Sequence, residues 1–266
     1  MTDWRPDFTL NGKTILVTGA SRGLGLAMAQ AMAASGATVV LNGRSEESLR
    51  EACEAFAKAG LSADIAPFDV LDMDAAEDAF EEIKKRHGGL YGLINNAGHQ
   101  HRSPLEDFSD DAFQELIAVH LTSAFQLSKR AAKMMLEAEI LDESKPIDRG
   151  RIINICSVLS SHGRPTVPAY AAAKTGLVGL VRGMAADIGP RGVNVNGIAP
   201  GYFLTEINKP LLEDKEFTAW VEHRTPVGRW ADPRELGGAA VYLMSPAASF
   251  VNGHILTVDG GMTAVL

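Results

Sequence analysis

Three side chains in the second half of the sequence have the types and the spacing for proton transfer. Tyr170 and Lys174 are four residues apart, so on a helix they lie on the same face. A nearby ammonium favours the phenolate and lowers the pKa of a phenol, which is about 10 when unperturbed. Ser157 ends a short apolar run and can donate a hydrogen bond to the oxygen of a bound molecule. We expect general acid–base chemistry, in which Tyr170 transfers the proton, Lys174 lowers its pKa towards 7 and Ser157 polarises the reacting group.

A glycine-rich segment near the N-terminus predicts a binding site for a phosphate-containing molecule. The first apolar run leads into T-G-A-S-R-G-L-G, residues Thr18–Gly25. Glycines let a backbone turn sharply and approach a diphosphate, whose charge is met by the N-terminus of the following helix. A tight strand–helix turn without a ligand has the same pattern. The position in the first strand–helix unit favours a dinucleotide.

The charge after the second apolar run indicates which dinucleotide is bound. An NAD site usually has an acidic residue about 20 residues after the glycine loop, where it accepts a hydrogen bond from the ribose 2′-hydroxyl. Here the second run ends in L-N-G-R with no acid, and Arg44 is its last residue. Arg44 alone could be a solvated loop charge, but it can also bind a 2′-phosphate, with Arg22 as a second cation. The two arginines predict a preference for NADP(H) over NAD(H).

The apolar pattern of the chain indicates the scaffold that must position these residues. Seven short runs are continuously apolar rather than alternating, as in parallel strands buried on both faces: Thr14–Thr18, Thr38–Leu41, Ala63–Phe68, Leu90–Asn95, Arg151–Cys156, Val193–Ala199 and Ile255–Val258. Helical patterns lie between them: Leu24–Ser35, Glu46–Ala59, Asp74–Arg86, Asp110–Glu139, Tyr170–Ile188 and Pro233–Met244. This alternation predicts a doubly wound α/β sheet. No linker or repeat divides the chain, so we expect a single domain over residues 1–266.

Two segments depart from the alternation of strands and helices. Glu137–Arg149 carries seven charges and a proline, and we interpret it as an exposed loop. Tyr202–Arg229 has weaker periodicity and follows the carboxyl end of a predicted strand, the edge at which ligands bind in such sheets. We therefore expect a mobile lid there.

Composition excludes several classes of protein. The chain has 266 residues, is 46% hydrophobic and has a formal net charge of −8, which argues against nucleic acid or an anionic membrane as the main partner. Cys53 and Cys156 are too few for a disulfide framework or a zinc site. No apolar run approaches the roughly 20 residues of a membrane span, and no signal peptide is evident. We expect a cytoplasmic protein that binds a small molecule.

Nearly the whole chain resembles the short-chain dehydrogenase/reductase family. The resemblance rests on the glycine loop, F-D-V, N-N-A-G, the Ser/Tyr/Lys set and P-G-Y-F-L-T: Thr18–Gly25, Phe68–Val70, Asn95–Gly98, Ser157, Tyr170, Lys174 and Pro200–Thr205. It implies a Rossmann-type sheet of about seven strands, a nicotinamide-dependent oxidoreductase and a homotetramer.

The family pattern also implies the residues that bind the cofactor. They are Gly19, Ser21, Arg22, Gly23, Leu24, Gly25, Arg44, Asp69, Val70, Asn96, Ala97, Gly98, Tyr170, Lys174, Pro200, Gly201 and Thr205. By this resemblance, Asp69 and Val70 border the adenine and Lys174 holds the nicotinamide ribose. Thr205 and the Pro200-Gly201 turn orient the carboxamide.

A narrower resemblance, to gluconate 5-dehydrogenases, lies mainly in the C-terminal half. It is carried by the segments at Val195–Phe203, Glu216–Trp220, Arg224–Pro226 and Phe250–His254. That group interconverts gluconate and 5-ketogluconate with NADP(H). We expect Arg102, His101, Ser157 and Tyr202 to contact the substrate, with Arg102 available for a carboxylate.

The sequence departs from these relatives at three places near the expected site. His120 replaces an asparagine that helps a proton relay in the family, and we expect it either to keep the relay or to be a packing substitution. His99 and His101 form an H-x-H pair, but no neighbouring carboxylate or cysteine completes a metal site, so we expect none. Leu159–Gly163 lacks the usual Gln and Glu, which leaves the exact substrate open.

Three functions remain. The leading one is an NADP(H)-dependent oxidoreductase acting on a secondary alcohol or ketone of a sugar acid or polyol. A 3-oxoacyl thioester reductase shares all of these motifs. The third is a nucleotide-binding regulator that has lost catalytic activity, with His120 as the sign of that loss. The intact Ser157, Tyr170 and Lys174 argue against it.

Overall fold

The described part of the protein forms a single sheet of seven parallel strands. The computed structural model describes residues 5–138 and 147–265. The strands are β1 (Thr14–Val17), β2 (Thr38–Gly43), β3 (Ala63–Pro67), β4 (Gly92–Asn95), β5 (Gly150–Ile155), β6 (Val193–Pro200) and β7 (Ile255–Val258). Their order in the sheet is β3-β2-β1-β4-β5-β6-β7, and every neighbouring pair is parallel. The doubly wound, Rossmann-type α/β sheet predicted from the sequence is confirmed.

Helices cover both faces of this sheet. They are α1 (Gly23–Ala34), α2 (Glu46–Lys58), α3 (Met73–His87), α4 (Asp110–Ile117), α5 (Ser123–Glu137), α6 (Pro168–Ile188), α7 (Lys209–Leu212), α8 (Lys215–Arg224) and α9 (Gly237–Met244). Successive side chains of β1 enter opposite cores, because strand side chains alternate between faces. Ile15 packs with α1, α2 and α9, whereas Leu16 packs with α3, α5 and α6. Burial on both faces explains why the strands are continuously apolar.

One predicted helix is interrupted. The sequence predicts a regular helix over Asp110–Glu139, but the backbone forms a π-helical turn at Ala118–Thr122 between α4 and α5. The Ser123 N–H bonds to the carbonyl oxygen of Ala118, five residues earlier, and its hydroxyl donates to Val119 O at 2.6 Å. Such turns are frequent at functional sites, and this one contains His120.

The two irregular segments differ in how far they can be described. Residues 139–146 of the predicted charged loop lie outside the described part of the chain. Beyond them, Arg149 Nη1 donates to the carbonyl oxygen of Leu136 at 2.6 Å. The segment Tyr202–Arg229 contains α7 and α8, and aromatic contacts join Tyr202 to Phe217 and Trp230.

The strand order fixes where a ligand can bind. The chain winds outwards from β1 in one direction to β3 and in the other from β4 to β7, so β1 and β4 form the switch point. Ligands of open α/β sheets bind in the crevice at the carboxyl ends of the strands at such a point. In residues 5–138 and 147–265, no helix is long and apolar enough to cross a membrane.

Candidate active site

The glycine loop between β1 and α1 is packed closely against the end of β4. Gly19 has φ +62°, and a Cβ there would lie 2.8 Å from the Ala97 Cα. The Asn96 side chain donates to the carbonyl oxygens of Thr18 and Gly19, at 2.9 and 3.1 Å. A Cβ at Gly25 would collide with the carbonyl oxygen of Gly19. Only glycine therefore fits at both positions of the loop.

The cavity beside this loop has the features required by a dinucleotide. Its volume is about 600 Å³, and it extends from Arg44 to the Ser157 region. No side chain caps the N-terminus of α1, so its first N–H groups remain available to an anion. The hydroxyl of Thr205, which also lines the cavity, is buried and has no hydrogen-bond partner within residues 5–138 and 147–265. The free N–H groups of α1 can bind the diphosphate of a dinucleotide, and the Thr205 hydroxyl can bind its nicotinamide carboxamide.

The two arginines predicted to bind a 2′-phosphate are in different situations. Arg44 lines the cavity after β2, and Asn42 fixes that strand end by donating to the carbonyl oxygens of Ala66 and Phe68, both at 3.0 Å. Arg22 Nη1 lies 3.1 Å from Glu206 Oε2, with both side chains over 70% exposed. Arg22 is therefore already paired with the Glu206 carboxylate.

Ser157, Tyr170 and Lys174 meet at the other end of the cavity. The Lys174 ammonium is 5.5 Å from the centre of the Tyr170 ring and donates to the carbonyl oxygen of Ile155 at 2.5 Å. A hydrogen bond to Ser157 lowers the pKa of Tyr170, although burial outweighs it. The Ser160 hydroxyl fixes the arrangement, since it accepts from Ser157 N and donates to Lys174 O.

The expected lowering of the tyrosine pKa towards 7 is wrong for the protein alone. Burial raises the pKa of Tyr170 to about 12 and lowers the pKa of Lys174 to about 8. Both shifts have the same cause, because a low-dielectric wall penalises each charged form. Lys174 is only 4% exposed, and its ammonium is directed to a main-chain carbonyl. Tyr170 is therefore a protonated acid at neutral pH.

His120 is a buried, neutral imidazole beside Tyr170. The two ring centres are 5.1 Å apart and edge to face. Its Nε2 lies 2.7 Å from the carbonyl oxygen of His99, which can only accept, so Nε2 carries the hydrogen. Burial, then the charge of Lys174, lowers its pKa well below 6.5. Its Nδ1 is a buried acceptor with no hydrogen-bond partner in the part of the chain that the structure describes. Gly98, which has no side chain, leaves room for the ring.

The substrate side of the cavity is lined by side chains from several loops. Arg102 and Tyr202 line it as predicted, whereas His101 is not among its lining residues and packs edge to face on Phe108, with ring centres 5.1 Å apart. Arg164, which the sequence analysis did not single out, also lines the cavity.

Comparison with known proteins identifies the family. A family model described as enoyl-(acyl carrier protein) reductase matches residues 19–263, and relatives more than 40% identical span nearly the whole chain. The chain belongs to the short-chain dehydrogenase/reductase family. It is 47% identical over 262 residues to gluconate 5-dehydrogenase of Gluconobacter oxydans, covering 98% of this chain and 99% of that protein. It is 43% identical over 255 residues to 5-keto-D-gluconate 5-reductase of Escherichia coli K12, covering 96% and 97%.

A solved structure of this dehydrogenase family is similar throughout. The gluconate 5-dehydrogenase of Burkholderia cenocepacia, in complex with NADP and tartrate, has a TM-score of 0.89 and 42% identity, covering 97% of this chain and 98% of that one.

Most residues predicted from the family pattern converge on one cavity. All of the predicted cofactor residues line it except Gly25, which packs behind the loop. Further polar side chains line the cavity that were not predicted for the site, because none belongs to a motif of the family: Asn42, His99, Gln100, Glu115, Arg164, Glu206 and Asn208. Cys156 is buried, and burial raises the pKa of its thiol to about 11, as is typical of a thiol that packs in a core rather than acting as a nucleophile. Among the described residues, no three His, Cys, Asp or Glu side chains cluster as metal ligands.

Proposed function

We propose that this dehydrogenase interconverts a secondary alcohol and a ketone of a sugar acid such as gluconate and 5-ketogluconate, using NADP(H). The observation that carries the proposal is one cavity, in which a glycine loop at one end faces Ser157, Tyr170 and Lys174 at the other. The names of the relatives support the substrate class. The tartrate in the Burkholderia structure is itself a hydroxylated carboxylate.

The residues of this chain supply proton transfer and orientation. The nicotinamide supplies or accepts the hydride when it is bound. Ser157 donates a hydrogen bond to the substrate oxygen, and Tyr170 gives its proton to that oxygen during ketone reduction. With a pKa of about 12, Tyr170 carries the proton that reduction needs at neutral pH. Alcohol oxidation requires the phenolate, which the Lys174 charge stabilises.

We propose that His120 keeps the relay position as a neutral imidazole. Its Nε2–H is committed to the carbonyl oxygen of His99, and its unpartnered Nδ1 can accept a hydrogen bond from a donor in the cavity. The alternative, a packing substitution, is supported by the fit of the ring against Gly98.

A preference for NADP(H) is proposed on the basis of Arg44. It lines the cavity where the second strand ends, and a guanidinium forms strong hydrogen bonds with a phosphate. Related structures contain NADP. Arg22 makes a weaker contribution in this proposal, because Glu206 competes for it.

The 3-oxoacyl thioester reductase is the second candidate, favoured by relatives at 35–36% identity that are named 3-oxoacyl-[acyl-carrier-protein] reductase. The pair of arginines on the substrate side suits a small anion better than an acyl chain.

The test is NADPH oxidation with keto sugar acids, neutral ketoses and acetoacetyl thioesters. Turnover of the sugar acids supports the proposal, and turnover of thioesters alone contradicts it. Tight NADPH binding without any turnover would indicate the regulator.

We further propose a cytoplasmic homotetramer with one catalytic domain over residues 1–266. Exposed aromatic side chains at Phe113, Phe125 and Phe250 support association through apolar surface. The free thiols of Cys53 and Cys156 support a reducing compartment. Sedimentation equilibrium should give four chains per particle.

A further inference from the structure

A second arginine reaches the substrate side from a loop that no motif marks. Arg164 lies between Ser157 and α6 and lines the same cavity as Arg102. Its Nη1 donates a hydrogen bond to the Tyr202 hydroxyl at 3.2 Å, and its guanidinium carbon is 5.3 Å from the centre of the Phe217 ring. Both contacts hold the guanidinium in place without neutralising it.

The charges of Arg164 and Arg102 act on each other. Burial, followed by the charge of Arg164, lowers the pKa of Arg102. The Nε atom of Arg102 is buried and has no hydrogen-bond partner among the described residues. Two cations that share a cavity repel each other, and an anion between them would relieve that repulsion.

The acidic side chains that line this cavity are engaged elsewhere. Glu115 lies 3.5 Å from His99 Nε2, and Glu206 pairs with Arg22. The Asp69 carboxylate accepts from the N–H of Leu71 at 3.0 Å. Within residues 5–138 and 147–265, no carboxylate forms an ion pair with Arg102 or Arg164.

The backbone is strained where the loops of the two arginines meet. Thr166 has φ +69°, in the left-handed region that β-branched residues rarely adopt. Its carbonyl oxygen accepts a hydrogen bond at 3.0 Å from the N–H of Ser103, the neighbour of Arg102. Strained residues of this kind persist where their surroundings hold them, and they cluster at ligand sites. This contact joins the Arg164 loop to the Arg102 loop.

We propose that Arg102 and Arg164 form a clamp for the carboxylate of the substrate, and that Arg164 makes the enzyme select a sugar acid over the neutral sugar of the same shape. The inference rests on the proposed function and assigns its substrate specificity to named residues. A carboxylate suits the site because each guanidinium can offer it two parallel hydrogen bonds.

The test compares two substrates that differ only at the carboxylate. L-sorbose is 5-ketogluconate with a CH₂OH group in place of the carboxylate. We expect Arg164→Gln to lower kcat/KM for 5-ketogluconate by roughly 10- to 100-fold, the range for a hydrogen bond to a charged group. Turnover of L-sorbose and the Kd for NADPH should change by less than about twofold. The matched control is Arg50→Gln, which removes an exposed arginine of α2 that does not line the cavity.

Two outcomes would overturn the clamp. One is an equal loss on both substrates, and the other is no loss on 5-ketogluconate. If Arg164→Gln does not fold, Arg164→Lys keeps the charge without the planar fork and should give a smaller selective loss; a non-selective loss again contradicts the clamp.

A binding measurement separates this inference from the proposed function. A wild-type enzyme without activity on any keto sugar acid contradicts the proposed function. Tartrate, which need not react, then tests the clamp by calorimetry in the presence of NADPH. Weaker tartrate binding by Arg164→Gln than by wild type supports the clamp, and equal binding, or none by either, refutes it.

Discussion

The two ends of the cavity are constructed in different ways. At the cofactor end the backbone itself forms the wall: Gly19 has no room for a Cβ against Ala97, and Asn96 holds two loop carbonyl groups. At the substrate end the wall consists of long side chains from separate loops, Arg102 and Arg164 among them. The cofactor end constrains which residue type can occupy each position, whereas the substrate end constrains only where a charge must lie. A small substitution at the cofactor end should therefore weaken cofactor binding. A small substitution at the substrate end should instead change which substrate is preferred.

The largest effect is expected at the boundary between the two ends. Tyr170→Phe removes the proton donor and should lower kcat for ketone reduction by about 10²- to 10⁴-fold, the usual contribution of general acid catalysis. The Kd for NADPH, measured by fluorescence titration, should rise by less than about tenfold, because the ring remains and at most one hydrogen bond to the cofactor is lost. Tyr242→Phe, in α9, is the control. Retention of most of the activity by Tyr170→Phe would assign the proton to another group.

The rigidity of the cofactor end can be tested with a pair of glycines. Gly19 and Gly60 both have positive φ, at +62° and +71°, but a Cβ at Gly60 meets no atom within 4 Å. Both alanine variants should lose about 1–2 kcal/mol of unfolding free energy from the left-handed backbone. Gly19→Ala should lose more and bind NADPH more weakly, as measured by denaturant unfolding and titration. Equal behaviour of the two variants would show that the approach to Ala97 is not limiting.

The cofactor end also contains one charged residue, Arg44, that should determine the preference for NADPH over NADH. Arg44→Asp should weaken NADPH binding by roughly 10- to 100-fold and leave NADH binding nearly unchanged, since only NADPH carries the 2′-phosphate. Arg22→Gln should have a smaller effect, because Arg22 is already paired with Glu206. The Kd values for both cofactors provide the measurement, and an equal loss for NADPH and NADH would contradict the phosphate role.

A moderate effect is expected from pH. Burial lowers the pKa of Lys174 to about 8, so its ammonium is present below that pH and is lost above it. The charge stabilises the phenolate that Tyr170 leaves behind, so kcat/KM for reduction should fall above about pH 8. In Lys174→Arg the cation persists, and the decline near pH 8 should disappear from whatever activity remains. A profile that is flat to pH 10 in the wild type would contradict this role.

The smallest effect is expected at His120. Its pKa is held well below 6.5 by burial, so the pH profile of the wild type should show no break near 6.5. His120→Asn should change kcat by less than about tenfold, because the proton donor itself remains. If neither the rate nor the pH profile changes, His120 is a packing residue.

The sequence allowed the cofactor end to be predicted far better than the substrate end. Residues of the glycine loop and the Tyr170–Lys174 pair lie at fixed local spacings, because a turn or one helix face imposes them. Arg164 and Arg102 lie on two loops that are joined by the hydrogen bond between Ser103 and Thr166. These loops are far apart in the sequence, so no local spacing of residues predicts that they meet. The raised pKa of Tyr170 was also missed, because the degree of burial depends on the packed wall and not on the presence of Lys174.

The contact between Gly98 and His120 sets the order in which these two positions can change. A Cβ at position 98 would overlap the imidazole, and the backbone there has no unusual φ that demands glycine. Gly98→Ala should be tolerated only in a chain that already carries His120→Asn, because the smaller asparagine leaves space for the added methyl group. In the wild-type chain the same substitution should destabilise the fold. The two substitutions are therefore epistatic, and a viable path between this enzyme and one with alanine at position 98 passes through the His120→Asn variant.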